Sequence, residues 1–579
     1  MSSKHPIRKR MSRWMFALLL CCINTTAWAD DLPISYEGDH YVINVDSLHP
    51  DKEMTLMDVL MICPEPVSVN GKTLGTDFIL AVNDISVLID DETFLQMTKA
   101  CEVESIDVYI NPSVSQTVGG VEGIININFK KDEQNGTTGK VALEAGSNGN
   151  GKVWVNTKTQ RNDVEIRGYA LVNQQFNKGE TADGQPFSSR KLMQGAHVNI
   201  DWDITEKDNL IVKFYQHFNN SKEKFWDEFG QSSLPETERL GSLTFTYTHA
   251  LNDIGTELKT EGGSVFIDSR VSDVKTHDIL PYFFTELYTP LFHKDLTLLT
   301  GWEIDYENNR FEGTSRQQYL KNDFYVQLCY NHGPWVLTLG DRFTILDYWN
   351  HNQIEAPERW SHHRTANTYL ASIGYRWGRH YIHGSFNRDF FVPSIENFYE
   401  DYMGSFRLND DYRTNLVWRT ELRYTYQQPN LVLFCNASHT WKTDMPLSRE
   451  EMTSIKTSAS WNKGNVRITA GASFFHHHVN GSEWIDELFN NYYLLKLMPT
   501  LLLDNGFRLS AFLIYNSKQK LYDQHAWLSA SVKVNKDFGK HWNVYVDLQN
   551  LAGQPTIAVS QMSSLSNKRA FALGCTYRF

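Results

Sequence analysis

The residues that invite chemistry are scattered. His476-His477-His478 is the densest group of metal-ligating types, since imidazole binds transition metals readily. On an extended strand His476 and His478 share one face and His477 takes the other, so those two are the metal candidates, at the opening of a loop. The stretch 389–415 carries Phe390, Phe391, Phe398, Tyr399, Tyr402 and Phe406 among Glu396, Glu400, Asp401, Asp410 and Asp411. Its rings offer stacking surfaces for sugars, haem-like rings or peptides, with Phe391, Phe398, Tyr399 and Tyr402 as the candidate ligand contacts. Gly71-Lys72-Thr73 resembles the end of a phosphate loop, but Pro66 stands where that loop needs its first glycine. There is no HExxH and no GxSxG, so neither a zinc protease nor a nucleophile elbow is indicated. No catalytic residue and no cofactor is assigned.

What positions these residues follows from the N-terminus and the periodicity. Residues 1–29 have the parts of a secretory signal: basic Lys4, Arg8, Lys9, Arg10 and Arg13, an apolar run from Trp14 to Cys22, then Ala27-Trp28-Ala29. The run is too short to span a bilayer, and bulky Leu20 before Cys21 disfavours a lipoprotein cleavage site. Of the 7 cysteines, Cys63, Cys101, Cys329, Cys435 and Cys575 lie beyond the signal without any CxxC, and an exported chain allows a Cys63–Cys101 bridge. The net charge of −13 becomes more negative once the basic signal is removed, which argues against a nucleic-acid-binding face.

From about residue 138 the dominant signal is alternation with period two. Ala196, Val198, Ile200, Trp202 and Ile204 take one face, and His197, Asn199, Asp201 and Asp203 the other. Leu243, Phe245 and Tyr247 alternate with threonines, and the final segment runs Phe571, Leu573, Cys575, Tyr577, Phe579. Counted backward from Phe579, about 22 such segments of roughly ten residues emerge, joined alternately by short turns and longer loops. A soluble sandwich also alternates, but this number of segments with asymmetric connections predicts an all-β transmembrane barrel. In lipid every backbone group must be paired, and a closed sheet is the only strand architecture that leaves no edge. A barrel of about 22 strands has a lumen wide enough to need filling. Residues 30–132 are the filler, a small α/β plug domain built from Tyr41 to Val45, a helix at Thr55 to Met61, Ser86 to Ile89, a helix at Asp91 to Ala100, and Ser105 to Ile110.

Glu104-Ser105-Ile106-Asp107-Val108-Tyr109-Ile110-Asn111-Pro112-Ser113, followed by Gly123-Ile124-Ile125-Asn126-Ile127, resembles the end of the plug of TonB-dependent outer-membrane receptors. The Bacteroidota-type version is the nearest likeness. Asp58-Val59-Leu60 and Val87-Leu88-Ile89-Asp90 also resemble plug segments, Leu339-Gly340-Asp341-Arg342 resembles the recurrent Gly-x-Arg strand, and Asp547-Leu548-Gln549-Asn550 the penultimate-strand ending. Terminal Tyr577-Arg578-Phe579 resembles the signal read by the barrel-assembly machinery, with Tyr577 and Phe579 as its aromatic residues. Asp90-Asp91 departs from the usual Asp-Gly, and Asp31-Leu32-Pro33-Ile34-Ser35 is a poor match to the Ton box that pairs with TonB by strand addition, because of Pro33.

The resemblance implies a Gram-negative outer-membrane protein divided into a signal at 1–29, a plug at 30–132 and a barrel at 133–579. It implies a receptor that binds a scarce extracellular small ligand and admits it to the periplasm, with the TonB energy complex, outer-membrane lipid, the assembly machinery and a surface lipoprotein as partners, and no covalent chemistry. The alternative is a plugged barrel that binds at the surface or conducts passively without TonB coupling. A barrel hydrolase with rim residues is a third class.

Overall fold

The computed structural model describes short stretches between residues 34 and 130 and, from residue 135, all but 181–185, 228–229, 273, 293–294, 313–314, 353–358, 392–398, 403–404, 409–414, 429, 445–447, 480–487, 504, 519–525 and 553–568. Twenty-two antiparallel strands, from Gly136–Gly146 to Ala570–Arg578, form a closed barrel. The seam pairs those two strands, Ala572 opposite Gly146 and Arg578 opposite Lys140. It is finished by reciprocal backbone bonds of 3.1 and 3.0 Å between Gly139 and Phe579. The predicted strand number is observed, because closure leaves no edge to desolvate in lipid.

Strand length departs from expectation. Gly230–Ala250 has 21 residues and Pro186–Thr205 has 20, twice the ten anticipated. Segments read as long loops are instead continuations of the strands beyond the bilayer, paired residue by residue, as from Trp226↔Gln231 onward. Polar residues there keep the ladder without needing an apolar outer face, so the hydrophobic alternation that marks a strand fades before the strand ends. The short turns lie at the end where the chain enters and leaves the barrel. Gly378 and Gly464 sit there at φ 56° and 58°, which a tight two-residue hairpin turn requires.

The faces are inverted relative to a soluble protein. Val198, Ile200, Trp202 and Ile204 are exposed outward while Asn199 and Asp201 are buried inward. Likewise Leu243 and Phe245 are exposed, and Thr244 and Thr246 buried. Two aromatic belts bound the outer face. Next to the short turns Trp335 lies 4.6 Å from Tyr375, Trp377 5.2 Å from His380, and His380 5.0 Å from Tyr426, centroid to centroid. Further along, Tyr369 lies 5.8 Å from Trp418, which stacks 6.0 Å from Trp441. On Asn415–Gln428 both Trp418 and Tyr426 face outward with exposed Leu422 between them. They stand about 26 Å apart along the strand, or about 20 Å along the bilayer normal at a tilt of about 40°, close to the ~25 Å apolar band of an outer-membrane barrel.

The residues before the barrel form a seven-stranded mixed sheet ordered Ile34–Glu37, His40–Asn44, Val103–Tyr109, Gly123–Phe129, Thr76–Val82, Val67–Ser68, with Ile85–Ser86 against Thr76–Val82. Leu56, Val59, Leu60 and Leu95 are helical, within the two predicted helices. Their side chains join Ile43, Val45, Ile106, Val108, Ile125 and Ile127 in a core that also takes in Tyr215 and Tyr381 of the barrel wall. The plug core is thus continuous with the inner wall. Cys101 is an exposed free thiol, so the Cys63–Cys101 bridge is not formed. It sits on the one-turn helix Ala100–Glu102. Cys63, Lys72, Phe398 and residues 1–33 lie outside the described residues.

Candidate functional site

The densest polar construction inside the barrel joins three adjacent strands, Leu296–Phe311, Ser315–His332 and Trp335–Asn352, to one residue of the plug, Val114. Alternation places Glu303 and Asp305, then Lys321, Asp323, Tyr325 and Gln327, then Gly340, Arg342 and Thr344 on the inner face. Arg342 is 2% exposed. Its Nη1 donates to the Val114 carbonyl at 2.9 Å, and its Nη2 to Glu303 Oε2 at 2.5 Å and to Asp323. The Val114 N–H donates to Gln327 Oε1 at 3.2 Å, so the wall satisfies both polar groups of this plug residue. Val114 itself is fully buried against Tyr325 and Leu370. A Cβ at Gly340 would lie 2.9 Å from both Val114 methyls, which is why this position carries glycine. Gly340 admits the plug residue and Arg342 holds it, which gives the Gly-x-Arg segment a physical meaning.

The charges around Arg342 are nearly balanced. Lys321 Nζ lies 3.1 Å from Glu303, 2.6 Å from Asp305 and 3.0 Å from Asp323. Thr344 donates to Asp323, and Tyr325 to Glu286 Oε1 at 2.8 Å. Glu303, Asp305 and Asp323 are the group of metal-ligating side chains that come close enough to share an ion among the described residues. Two cations already sit among them, so the group works as an ion-pair network. Buried pairs of this kind contribute little net stability but are costly to break, because truncating one partner strands a charge.

Further contacts tie the plug down. Arg467 Nη1 donates to Met54 Sδ at 3.2 Å. At the plug–barrel junction the Lys130 carbonyl accepts from Lys158 Nζ at 3.0 Å and Arg167 Nη2 at 3.1 Å, and Arg167 stacks 4.1 Å over Phe129.

The residues singled out for chemistry are not brought together. His476 and His478 lie on the outer face within Val466–Val479, not at the start of a loop, and His476 bonds Asn491 at 2.6 Å. His477 faces inward and meets Glu450 Oε1 at 2.6 Å. Phe391 ends the strand His380–Phe391, and Tyr399 and Tyr402 bound a small hairpin, Tyr402 opposite Ser405. Tyr577 and Phe579 are exposed on the outer face at the short-turn rim, Tyr577 4.8 Å from Trp542. The Val114 contact was missed as a site. Its signal was charge on the polar face of mid-strand segments, Glu303, Asp305, Lys321, Asp323 and Arg342, where a water-filled channel would need no such balance.

No protein-family model matches the chain, and no curated protein matches it. Solved structures do. The siderophore receptor PiuA from Acinetobacter baumannii superposes with TM-score 0.69 at 12% identity, over 96% of this chain and 99% of that one. The ferric-catecholate import receptor Fiu from E. coli gives 0.70 at 11%, over 96% and 99%. The copper transporter OprC gives 0.70 at 10%, over 93% and 100%. At such identities the likeness establishes the fold alone, a 22-stranded barrel with a plug, along essentially the whole of each chain.

Proposed function

We propose that this chain is an outer-membrane receptor of the TonB-dependent type, which binds an extracellular ligand and admits it to the periplasm when the plug is displaced. The observation that carries the reading is the Val114 clasp: a lumen closed by a plug that the wall grips, with buried Arg342 and Gln327 holding both polar groups of Val114. A static channel gains nothing from such a contact, whereas a gated one needs a contact that is costly to leave and can be remade.

The division into a signal at 1–29, a plug at 30–132 and a barrel at 133–579 belongs to this reading, as do the Bacteroidota-type likeness and Tyr577 and Phe579 as the assembly signal. The mature charge is acidic and the chemistry is binding and gating, without a covalent step. Siderophores, iron and copper are what the structural neighbours carry by name; this chain's ligand stays a small extracellular molecule.

Energy coupling is supported by the first strand of the plug sheet. Ile34–Glu37 pairs only with His40–Asn44 among the described residues and so leaves an edge, the arrangement to which an incoming peptide adds as a strand. Pull-down of a TonB periplasmic domain by the full-length protein in detergent tests this. Capture by the wild type and its loss in Tyr36→Pro is expected. No capture under any condition overturns the coupling and leaves a plugged surface-binding barrel.

A further inference from the structure

Toward the long-loop rim from the Arg342 network, the inner wall carries a second group of oxygen-bearing side chains. Asp278 on Val274–Pro290 stands opposite Asn309 on Leu296–Phe311, and Asn309 opposite Gln317 on Ser315–His332. Glu307 shares the face of Asn309 two residues along the same strand. It lies close enough to Asp278 for their charges to interact, and it accepts a hydrogen bond from Tyr319. Gln317 is 4% exposed. The side-chain oxygens of Asn309 and Gln317 are buried and have no hydrogen-bond partner among the described residues.

Two carboxylates and two amide oxygens on three neighbouring strands thus face a common region. A buried acceptor left unpaired is costly, and like charges raise that cost. The donor set is all oxygen, without a nitrogen or sulfur ligand, which selects hard cations over transition metals. The amide oxygens are shut away from solvent, so the occupant is small; a bulky organic amine does not fit that condition. Tyr319 bonded to Glu307 is the kind of outer partner that orients a ligating carboxylate.

We propose that Asp278, Glu307, Asn309 and Gln317 form a site for a hard divalent cation, with calcium as its occupant. Waters complete the coordination, since calcium takes six to eight oxygens. The bound ion ties together three strands where they stand above the bilayer. The site holds whether or not the barrel transports.

The test uses the full-length protein in detergent, treated with chelator and titrated with calcium by calorimetry. Terbium luminescence sensitised by tyrosine serves as the second readout, since Tyr319 adjoins the site. Wild type is expected to bind, and Asp278→Asn and Glu307→Gln to lose at least tenfold in affinity. Gln317→Met separates ligation from structure: it removes an unpaired buried acceptor, so in chelator it melts higher than wild type, while in calcium it gains less than wild type does. Calcium affinity and calcium-induced stabilisation unchanged in all three variants overturn the proposal. So does a wild type that binds no calcium up to about 10 mM, beyond the range of weak extracellular sites.

Discussion

Arg342 is the residue on which the plug–wall contact turns. Removing its guanidinium takes from Glu303 and Asp323 one of their two shared cations, leaving Lys321, and takes the arginine donor from the Val114 carbonyl. Arg342→Met is therefore expected to destabilise the docked plug by about 3–5 kcal/mol. Hydrogen exchange of the plug amides is the measurement, with the barrel amides as the internal reference. Gly340→Ala drives a methyl into Val114 and is expected to cost about 1–3 kcal/mol, while Val114→Ala in the same chain restores most of it. A double-mutant cycle on the same exchange data reads that coupling, and additive effects contradict the contact. Sequence alone carried the Gly-x-Arg segment as a likeness. It could not say what the arginine holds, because its partner Val114 is 228 residues away and lies in a stretch with no periodic signal. The histidine run pointed elsewhere for a related reason. Adjacent imidazoles on a strand diverge, and ligation needs residues that only the fold brings side by side.

Strands were the most legible elements. Alternation located most barrel strands because lipid on one side and polar interior on the other impose opposite demands on successive residues, though Glu257–Val271 and Val274–Pro290 alternate poorly. It also faded at their outer ends, where both faces are wet and a strand such as Asp208–Asp227 continues through Ser221-Lys222-Glu223-Lys224 without apolar marks. The belts define where lipid begins and ends, and position along one strand becomes a prediction. Leu422→Arg, between Trp418 and Tyr426, is expected to cost about 2–4 kcal/mol of folding into bilayers. Arginine for an outward residue beyond the Trp418 belt, as at His363→Arg, which lies past Tyr369 toward the long-loop rim on Arg359–Trp377, is expected to cost about 1 kcal/mol or less. Urea titration of protein folded in lipid vesicles measures both, and equal costs would refute the placement of the apolar band.

At the scale of the whole molecule, the inside-out barrel and the soluble-like plug obey opposite rules within one chain. The plug buries Ile43, Leu56, Ile106 and Ile127 in an ordinary apolar core, while the wall around it is lined by buried polar side chains such as Asn199, Thr244 and Asp323. The modest 41% apolar content is the average of the two, so composition by itself does not separate them. The closed sheet gives rigidity, the plug closes the lumen, and a small set of wall contacts decides whether it stays closed. Conductance in planar bilayers tests this account most directly. The full-length protein is expected to be nearly silent, and deletion of residues 30–132 to open a large, steady conductance through an otherwise intact barrel. Equal conductance of the two proteins would contradict it.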